Sequence, residues 1–260
     1  MKFRPLTRRQ FIATTLLAAP LAVWGDAQLI EPTWLAVRHL KLTSSPSPNR
    51  FVQFSDLHHK GDRAYLQKVV AQINQLNPDF ICFTGDLVED KKFLPETLEI
   101  LAGLTAPVFG VPGNHDYKSG ADFSAIAKCL KHTGGDWLLN ESRRIVGGKI
   151  NLIGMAENQV PRLPPAAAAP AKNILLMHYP FCINRLTGRK FDLILAGHSH
   201  GGQVRLPLVG PLFLPYGCDG YDLGLFSTPA GPLYVNAGIG YIGNNHFRFN
   251  CRPEITVIEI

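Results

Sequence analysis

The feature that most constrains this chain is a set of five short apolar runs, each of which ends in residues that commonly bind metal ions. Runs of this length, rich in β-branched and aromatic residues, predict buried β-strands. The run Phe191–Leu195 leads into Gly197-His198-Ser199-His200-Gly201. Two imidazoles one residue apart, flanked by glycines, suit metal chelation better than core packing. The other four runs are residues 51–54, 80–83, 108–111 and 174–177.

The residues that follow these runs predict a single site. Ligands of open sheets that are covered by helices bind beyond the carboxyl ends of the strands. A core alone gives no reason to place Asp, Asn or His at five strand ends, so we expect the side chains to converge on metal. They are Asp56 and His58, Asp86, Asn114 with His115 and Asp116, His178, and His198 with His200.

Helical patterns separate the first strands. Apolar residues recur at helical spacing from Leu66 to Leu76, and further helices are predicted at 95–104 and 121–131. Such βαβαβ alternation predicts an α/β fold with a mostly parallel sheet. Right-handed crossovers then bring successive strand ends to one rim.

The flanking segments complete the predicted fold. An opening or edge strand is predicted at 34–42, before a turn-rich connector at 44–49. A hairpin around Gly147-Gly148 joins runs at 144–146 and 149–154, after a short run at 137–139, and closing strands are predicted at 233–236 and 255–260. Residues 161–170 contain four consecutive alanines and predict a mobile loop without a catalytic role. Proline and glycine dominate residues 204–221.

Bulk composition sets broad limits. A chain of 260 residues that is 46% hydrophobic can form one large domain, which we assign to residues 28–260. The formal charge is +6, but residues 1–27 hold four basic residues and one acidic residue, so the remaining excess is mild. The sequence has no basic stripe with interleaved aromatic residues, which is the pattern that indicates a nucleic-acid partner. Five cysteines without a Cys-x-x-Cys pair indicate neither a zinc ribbon nor a dense disulfide framework, and Cys82 is predicted to be a small buried hydrophobe.

Residues 1–27 resemble a twin-arginine export signal. A basic start and Arg8-Arg9 precede a 13-residue apolar run from Phe11 to Val23. This run is shorter than the ~20 residues that span a bilayer, which favours a signal over a permanent anchor. Cleavage near Ala27 or Ala22 and retention as an anchor both stay open. We expect export by the twin-arginine machinery to the periplasm or to the outer side of the inner membrane.

Taken together, the motifs resemble those of the calcineurin-like metallophosphoesterase superfamily over about residues 50–240. The five blocks occur in order: Asp56-x-His58, Gly85-Asp86, Gly113-Asn114-His115-Asp116, His178 and Gly197-His198-x-His200. The twin-arginine start, Glu31-Pro32, residues 201–207 and residues 248–255 resemble a bacterial exported phosphodiesterase subgroup. The resemblance implies a four-layer α/β/β/α sandwich and a two-metal centre.

The resemblance also implies a role for each site residue. The expected ligands are Asp56, His58 and His200 for the first ion, Asn114, His178 and His198 for the second, and Asp86 as the bridge. His115 would be the general acid for the leaving oxygen. Two cations neutralise the charge of a phosphodiester and lower the pKa of a shared water, so that a bridging hydroxide could attack. The mixed carboxylate, amide and imidazole donors fit Mn, Fe or Zn, with Mn the ion we expect to support activity.

The resemblance assigns no ligand role to several neighbours of the motifs. A carboxylate at Asp116 could orient His115 as second-shell carboxylates often do. His59 is predicted to be a partly exposed neighbour of the site, although contact with phosphate is open. Phe181 stands where an acidic residue is common in the subgroup. Glu89 and Asp90 support the site or form a solvated loop, and no role is assigned to His39, His132 or His246.

The sequence leaves alternatives open for both the substrate and the activity. The segment 207–216 is unusually apolar and either packs into the core or forms a wall for a lipid or nucleoside group. Related enzymes that cleave UDP-2,3-diacylglucosamine suggest a small or lipid-linked phosphodiester or pyrophosphate, with peripheral membrane association. A phosphomonoesterase or protein phosphatase is the second enzyme class. A non-catalytic scaffold is disfavoured because no predicted ligand is missing.

Overall fold

The computed structural model describes residues 7–46, 48–156, 162–243 and 246–260. Its strands are β1 (Ala36–Lys41), β2 (Arg50–Phe54), β3 (Phe80–Phe83), β4 (Val108–Gly110), β5 (Asp136–Trp137), β6 (Ser142–Ile145), β7 (Ile150–Gly154), β8 (Lys172–Leu176), β9 (Leu193–Ala196), β10 (Arg205–Leu206), β11 (Gly210–Pro211), β12 (Gly224–Thr228), β13 (Gly231–Val235) and β14 (Glu254–Glu259). Its α-helices are α1 (Arg8–Gly25), α2 (Arg63–Gln75), α3 (Leu94–Leu101), α4 (Asn114–Lys118) and α5 (Phe123–His132).

The first sheet has the strand order β1-β14-β2-β3-β4-β5, and only the β14–β2 pair is antiparallel. Successive side chains of a strand point to opposite faces. On the outer face, Val52 of β2 and Ile81 of β3 join a core cluster with Leu66, Val69 and Ile73 of α2. The helices α2, α3 and α5 therefore cover this face, as the alternation of the sequence predicts.

The second sheet has the order β12-β13-β9-β8-β7-β6. Its four central strands are parallel and its two edge pairs are antiparallel. The β6–β7 pair is the predicted hairpin at Gly147-Gly148. The outer face of the second sheet packs against a 3₁₀ helix at Pro180–Arg185 and nearby loops, since Ile194 of β9 shares a cluster with Phe181 and Ile183. This outer layer therefore contains a 3₁₀ helix in the place expected for α-helices.

The inner faces of the two sheets form one apolar layer. Phe51, Phe80 and Phe109 of the first sheet share a buried cluster with Leu152 and Leu195 of the second. Phe51 and Phe80 stack with ring centroids 4.6 Å apart. Cys82 is buried in the same cluster, which confirms its predicted packing role. The sandwich thus has the order helices, sheet, sheet, 3₁₀ helix and loops.

Predicted element bounds agree with the observed ones to within a few residues. The helix expected at 121–131, for example, is α5, and its N-cap Asp122 accepts N–H bonds from Ser124 and Ala125. The sequence did not predict α4 or β12. The expected loop at 161–170 includes Pro161, which lies outside the described residues. Its Ala167 exchanges two hydrogen bonds with the side chain of Asn173.

The N-terminal helix α1 is exposed along its length. Helical structure continues beyond it to Thr33, and among the described residues this is the one helix long and apolar enough to cross a membrane. The segment after it is fixed to the domain. The carbonyl of Ala27 accepts an N–H bond from Arg248, and the buried carboxylate of Glu31 accepts the N–H groups of Asn250 and Cys251.

A second exposed apolar element is the hairpin formed by β10 and β11. We call residues 206–216 the apolar hairpin. Leu208, Val209, Leu212, Phe213 and Tyr216 are all exposed. The expectation that this segment packs into the core is therefore wrong for these side chains. β10 and β11 form a two-stranded sheet of their own, joined to the domain at its base, where the N–H of Arg205 donates to the carbonyl of Phe249.

Candidate metal centre

The predicted ligands come together at the carboxyl ends of four parallel strands. Asp56 and His58 follow β2, Asp86 follows β3, His178 follows β8, and His198 with His200 follows β9. All six side chains are buried, while Asn114 at the start of α4 is half-buried. The structure therefore places all seven predicted ligands in one cluster between the two sheets.

The backbone at these positions is strained. Five of the seven predicted ligands, Asp56, His58, Asp86, His198 and His200, have positive φ angles between 41° and 69°. Non-glycine residues adopt this region at a cost of order 1–3 kcal/mol each and mostly where function requires it. Each strand therefore turns sharply at its end, which aims the polar side chains into the cluster.

Glycines allow the loops to approach one another closely. A Cβ on Gly113 would lie 2.1 Å from Oδ1 of Asp86, and a Cβ on Gly197 would lie 2.4 Å from Oδ2 of Asp56. Each distance is far below van der Waals contact. The glycines of these two motifs thus leave room for the carboxylates.

The donor atoms fall into two groups. Asp56, His58 and His200 form one, and Asp86, His178 and His198 form the other, with the ligand atoms of each group within 4.8 Å of one another. Asp86 lies between them, since its Oδ2 is 3.3 Å from Nε2 of both His58 and His178. Oδ1 of Asn114 is 3.0 Å from Nε2 of His178, on the side of the second group. These are the two sets that the resemblance implied.

Hydrogen bonds to the far side of each ring fix the tautomers in the second group. Nδ1 of His178 donates to the carbonyl of Thr84 at 2.8 Å, and Nε2 of His198 donates to the carbonyl of Tyr216 at 2.7 Å. In the neutral rings, Nε2 of His178 and Nδ1 of His198 then both carry lone pairs, yet they face each other at 3.1 Å. Facing lone pairs at that distance repel each other unless a proton or a metal ion lies between them.

The first group has the same character. Nδ1 of His58 donates to Glu89 at 3.0 Å, which leaves its Nε2 as an acceptor facing Nε2 of His200 at 3.0 Å. Nδ1 of His200 is buried and has no hydrogen-bond partner among the described residues. Hard oxygen and imidazole donors of this kind fit a first-row divalent ion. The chain therefore offers sites suited to two metal ions.

Burial and neighbouring charges shift the pKa values of three of these histidines. Burial disfavours the imidazolium of His58, but hydrogen bonds with Asp86 and Glu89 outweigh it and raise the pKa of His58 to about 10. Burial likewise opposes the charge of His178, and the attraction of Asp86 raises its pKa to about 9. Burial and the nearby charge of His178 lower the pKa of His198 to about 4. The carboxylates of the site thus carry more negative charge than its histidines can offset when their rings are neutral.

His115 lies beside the first group, with its ring centroid 4.6 Å from that of His58. Its backbone N–H donates to Oδ1 of Asp86 at 2.7 Å, and its ring is partly exposed. Nδ1 donates to Oε2 of Glu89 at 2.8 Å, while no bond to Nε2 occurs within the described ranges. Nε2 is thus available to exchange a proton with a substrate.

The orienting carboxylate is Glu89, and the expectation for Asp116 is wrong. Asp116 accepts N–H bonds from the backbone of Asp86, Leu87 and Gly113 at 2.8 to 2.9 Å, so it braces two loops. Burial and the charge of Asp86 raise the pKa of Asp116 to about 6. Partial burial opposes ionisation of Glu89, but hydrogen bonds from His115 and His58 hold its pKa well below the usual range.

Two further residues differ from their expected surroundings. His59 is buried, whereas we predicted partial exposure, and its Nε2 lies 2.6 Å from Glu96. Arg248 was named only as part of a motif. Its buried guanidinium donates to the carbonyls of Ala237, Gly238 and Cys251 at 2.9 to 3.2 Å. It fixes the loop whose Gly240 N–H bonds the carbonyl of Asp56, and its position between Phe247 and Phe249 was a sequence signal for it.

Of the remaining histidines, two are exposed on secondary-structure elements and His246 lines the same cavity as the predicted ligand His58. His39 is exposed on β1, and His132 is exposed at the end of α5. His246 packs edge-on against Tyr241 and lines a cavity of about 240 Å³ with His59 and Lys60.

Comparison with known proteins agrees with this geometry. The model of the calcineurin-like phosphoesterase family matches residues 49–202. The chain is 31% identical to the uncharacterized metallophosphoesterase YkuE of Bacillus subtilis, covering 99% of this chain and 98% of that protein. It is 29% identical to the phosphodiesterase YaeI of Escherichia coli, covering 98% and 99% of the two chains.

A third relative has a named lipid substrate. The chain is 31% identical to the UDP-2,3-diacylglucosamine pyrophosphatase LpxG of Chlamydia trachomatis, covering 95% of each protein. The family match spans all five motifs and ends at Gly202, just after the last histidine pair. Relatives over nearly the full length, together with the two donor groups, support hydrolysis of phosphoric esters. The chain belongs to the calcineurin-like phosphoesterase family.

Proposed function

We propose that this protein is a dimetal phosphodiesterase that cleaves a small or lipid-linked phosphodiester or pyrophosphate. The observation that carries the proposal is the position of Asp86, whose carboxylate lies within 3.3 Å of imidazole nitrogens from both donor groups. A carboxylate in this place can hold two cations at a fixed spacing. Diester cleavage is favoured over monoester cleavage because YaeI is named a phosphodiesterase and LpxG a pyrophosphatase.

The ligands we assign follow the two groups. The first ion would be held by Asp56, His58 and His200, the second by Asn114, His178 and His198, and both by Asp86. Two divalent cations, for which we propose Mn²⁺ over Fe or Zn, would neutralise the charge of the phosphoryl group and lower the pKa of water. No separate protein base is then needed.

His115 would act as the general acid. Its Nδ1 is occupied by Glu89, so a proton for the leaving oxygen would come from Nε2. Glu89 holds the ring in this orientation, as carboxylates beside catalytic histidines do. Asp116 keeps the backbone of Asp86 and Gly113 in place, so that the His115 and Asp86 loops keep their mutual position.

We also propose where the protein works. Residues 1–27 would direct it through the twin-arginine machinery, and residues 28–260 would form the catalytic domain on the periplasmic side of the inner membrane. The paired arginines and the exposed apolar helix support this placement. Folded export would allow metal loading before translocation. The sequence of the domain gives no support for a nucleic-acid partner.

The test compares two chromogenic esters. The full chain is assayed with bis-p-nitrophenyl phosphate and p-nitrophenyl phosphate, before chelation, after chelation and with Mn²⁺ restored. The proposal predicts metal-dependent cleavage in which the diester has the higher kcat/KM. Preferred cleavage of the monoester would assign the protein to the phosphatases instead. If the fully metallated protein cleaves neither ester, the remaining candidate substrates have larger leaving groups. Lipid-linked pyrophosphates are then assayed.

A further inference from the structure

The apolar hairpin is an unusual surface for a water-soluble domain. Its exposed side chains include Phe213, which is 73% exposed, and Tyr216, which is 87% exposed, together with Leu208, Val209 and Leu212. Contiguous apolar surface of this kind marks a binding site for a protein, a ligand or a membrane. The hairpin therefore calls for a partner that covers it.

The composition of the hairpin favours lipid over protein. Residues 206–216 have the sequence Leu-Pro-Leu-Val-Gly-Pro-Leu-Phe-Leu-Pro-Tyr, and only Tyr216 has a side chain that forms hydrogen bonds. Protein interfaces carry a polar rim with about ten direct hydrogen bonds. A hairpin without charged or amide side chains lacks the groups that would fix such an interface. Hydrocarbon requires no such groups.

Both ends of the apolar hairpin are connected to predicted metal ligands. Its first strand follows His200 after four residues. At the other end, the carbonyl of Tyr216 accepts the bond from Nε2 of His198, and the carbonyl of Gly217 accepts the N–H of Phe181. Whatever the hairpin binds therefore lies close to the donor groups.

The hairpin and the apolar N-terminal helix are joined to the same short segment. Phe249 exchanges backbone hydrogen bonds with Gln203 and Arg205 at the base of the hairpin. The neighbouring residues 248, 250 and 251 bond Ala27 and Glu31 at the end of the helix. The backbone of residues 248–251 thus joins both exposed apolar elements, the apolar hairpin and the N-terminal helix, to the domain.

A positively charged side chain, that of Arg185, lies near the apolar hairpin. The guanidinium of Arg185 lies 4.7 Å from the ring centroid of Phe181, and that ring lies 6.0 Å from the ring of Tyr216. An arginine at the edge of an apolar surface can reach the phosphates of lipid headgroups while aromatic rings lie at the interface.

We propose that the apolar hairpin inserts into the surface of a lipid bilayer and holds the metal centre at the membrane. The side chains of Leu208, Leu212 and Phe213 would lie at the boundary between headgroups and acyl chains, with Tyr216 and Arg185 among the headgroups. The insertion is independent of the reaction proposed above. Only its consequence, that a lipid-linked substrate reaches the site from the bilayer, rests on the proposed function.

The experiment places a fluorophore on the hairpin of the full chain. Leu208→Cys is labelled with an environment-sensitive dye and reconstituted into vesicles of phosphatidylethanolamine and phosphatidylglycerol, with or without nitroxide lipids. Four native cysteines are buried and Cys129 is half-buried, so the unsubstituted chain measures the background. We expect a blue shift and strong quenching by a shallow nitroxide, at a depth of about 5–10 Å.

Two matched variants complete the design. Lys149→Cys places the dye on an exposed residue just before β7, at the opposite ends of the strands from the metal centre, and should show no quenching. Leu208→Cys combined with Leu212→Asp and Phe213→Asp should return the dye to water while the helix still holds the chain on the vesicles. An unquenched dye at position 208 overturns the proposal. A blue shift without quenching assigns the hairpin to a protein contact and also overturns it.

Discussion

Glu89 and His115 are paired through Oε2 and Nδ1 at 2.8 Å, and the other oxygen of Glu89 accepts a bond from His58. One carboxylate thus orients both the assigned general acid and a predicted metal ligand. Two residues separate Glu89 from Asp86, so the same loop carries the bridging carboxylate and this support. The ring of the acid and the first donor group are therefore held in position by the same side chain.

Replacing Glu89 tests this coupling. Glu89→Gln keeps the size of the side chain but removes its charge, and we expect diester turnover to fall about 10- to 100-fold. If Glu89 acts through the general acid, the loss is larger for a poor leaving group such as an alkyl alcohol than for p-nitrophenol. The measurement is kcat for two diesters that differ only in the leaving group.

His115→Ala should show the same dependence on the leaving group with a larger loss. Glu99→Gln is the matched control, since Glu99 is exposed and pairs with Arg63 away from the site. Equal losses for both leaving groups in the Glu89 variant would contradict a role through His115 and indicate an effect on metal binding alone.

Removing the charge of the bridge should remove metal. Asp86→Asn keeps the shape of the side chain but loses the anion that lies between the two groups. We expect turnover to fall by about 100-fold or more, together with less bound Mn²⁺ per chain by elemental analysis. Asp90→Asn is the control, because Asp90 is exposed and its carboxylate pairs with the neighbouring Lys92. Full metal content with unchanged turnover in Asp86→Asn would refute the bridging assignment.

Metal binding should release protons. With pKa values of about 10 and 9, His58 and His178 are imidazolium ions at pH 7 in the metal-free protein. A metal ligand must be deprotonated, so binding of Mn²⁺ at pH 7 should release about two protons per chain. Affinity then rises with pH up to these pKa values. Calorimetry in buffers of different ionisation enthalpy measures the number, and a value of zero would contradict the assignment.

The same pKa values predict how stability depends on pH. Both are raised above the unfolded value of 6.5, so the stabilisation is complete below that pH and is lost as the pH rises through 9 to 10. The metal-free protein should lose stability in that range, and the metal-bound protein should not. Thermal unfolding from pH 6 to 10 with and without Mn²⁺ separates the two cases.

Glu31 should be important for the stability of the domain although it follows the N-terminal helix. Glu31→Ala removes the acceptor of the N–H groups of Asn250 and Cys251, and we expect a loss of about 2 kcal/mol in the free energy of unfolding. Urea unfolding measures the loss against Glu99→Ala as an exposed control. Equal stabilities of the two variants would show that the segment is not anchored through this carboxylate.

The sequence predicted the sheets because strand ends and helix patterns agree with each other. Short buried runs rich in β-branched and aromatic residues, such as Phe80–Phe83, favour strands, and caps such as Asp122 mark where helices begin. β12 was missed because Gly224–Thr228 is an edge strand with alternating half-buried and exposed residues, and its apolar signal is weak. The 3₁₀ helix at Pro180–Arg185 was missed because four buried residues in a run of six fit several local structures.

The site was predictable as a set of residues but not as a network. The ligand motifs fall at strand ends, and strand topology alone brings them to one rim. The choice between Glu89 and Asp116 as partner of His115 depends on side-chain directions that the sequence does not contain. The apolar hairpin was misjudged because an apolar segment is usually buried, and only the fold reveals that nothing in the described domain covers it.

The most direct test of the two-metal account is a titration. The full chain is freed of metal, Mn²⁺ is added in steps, and bound Mn²⁺ and turnover of bis-p-nitrophenyl phosphate are measured on the same samples. The account predicts no turnover without metal and full turnover only near two bound ions per chain. Turnover in metal-free protein, or full turnover with one bound ion, would contradict it.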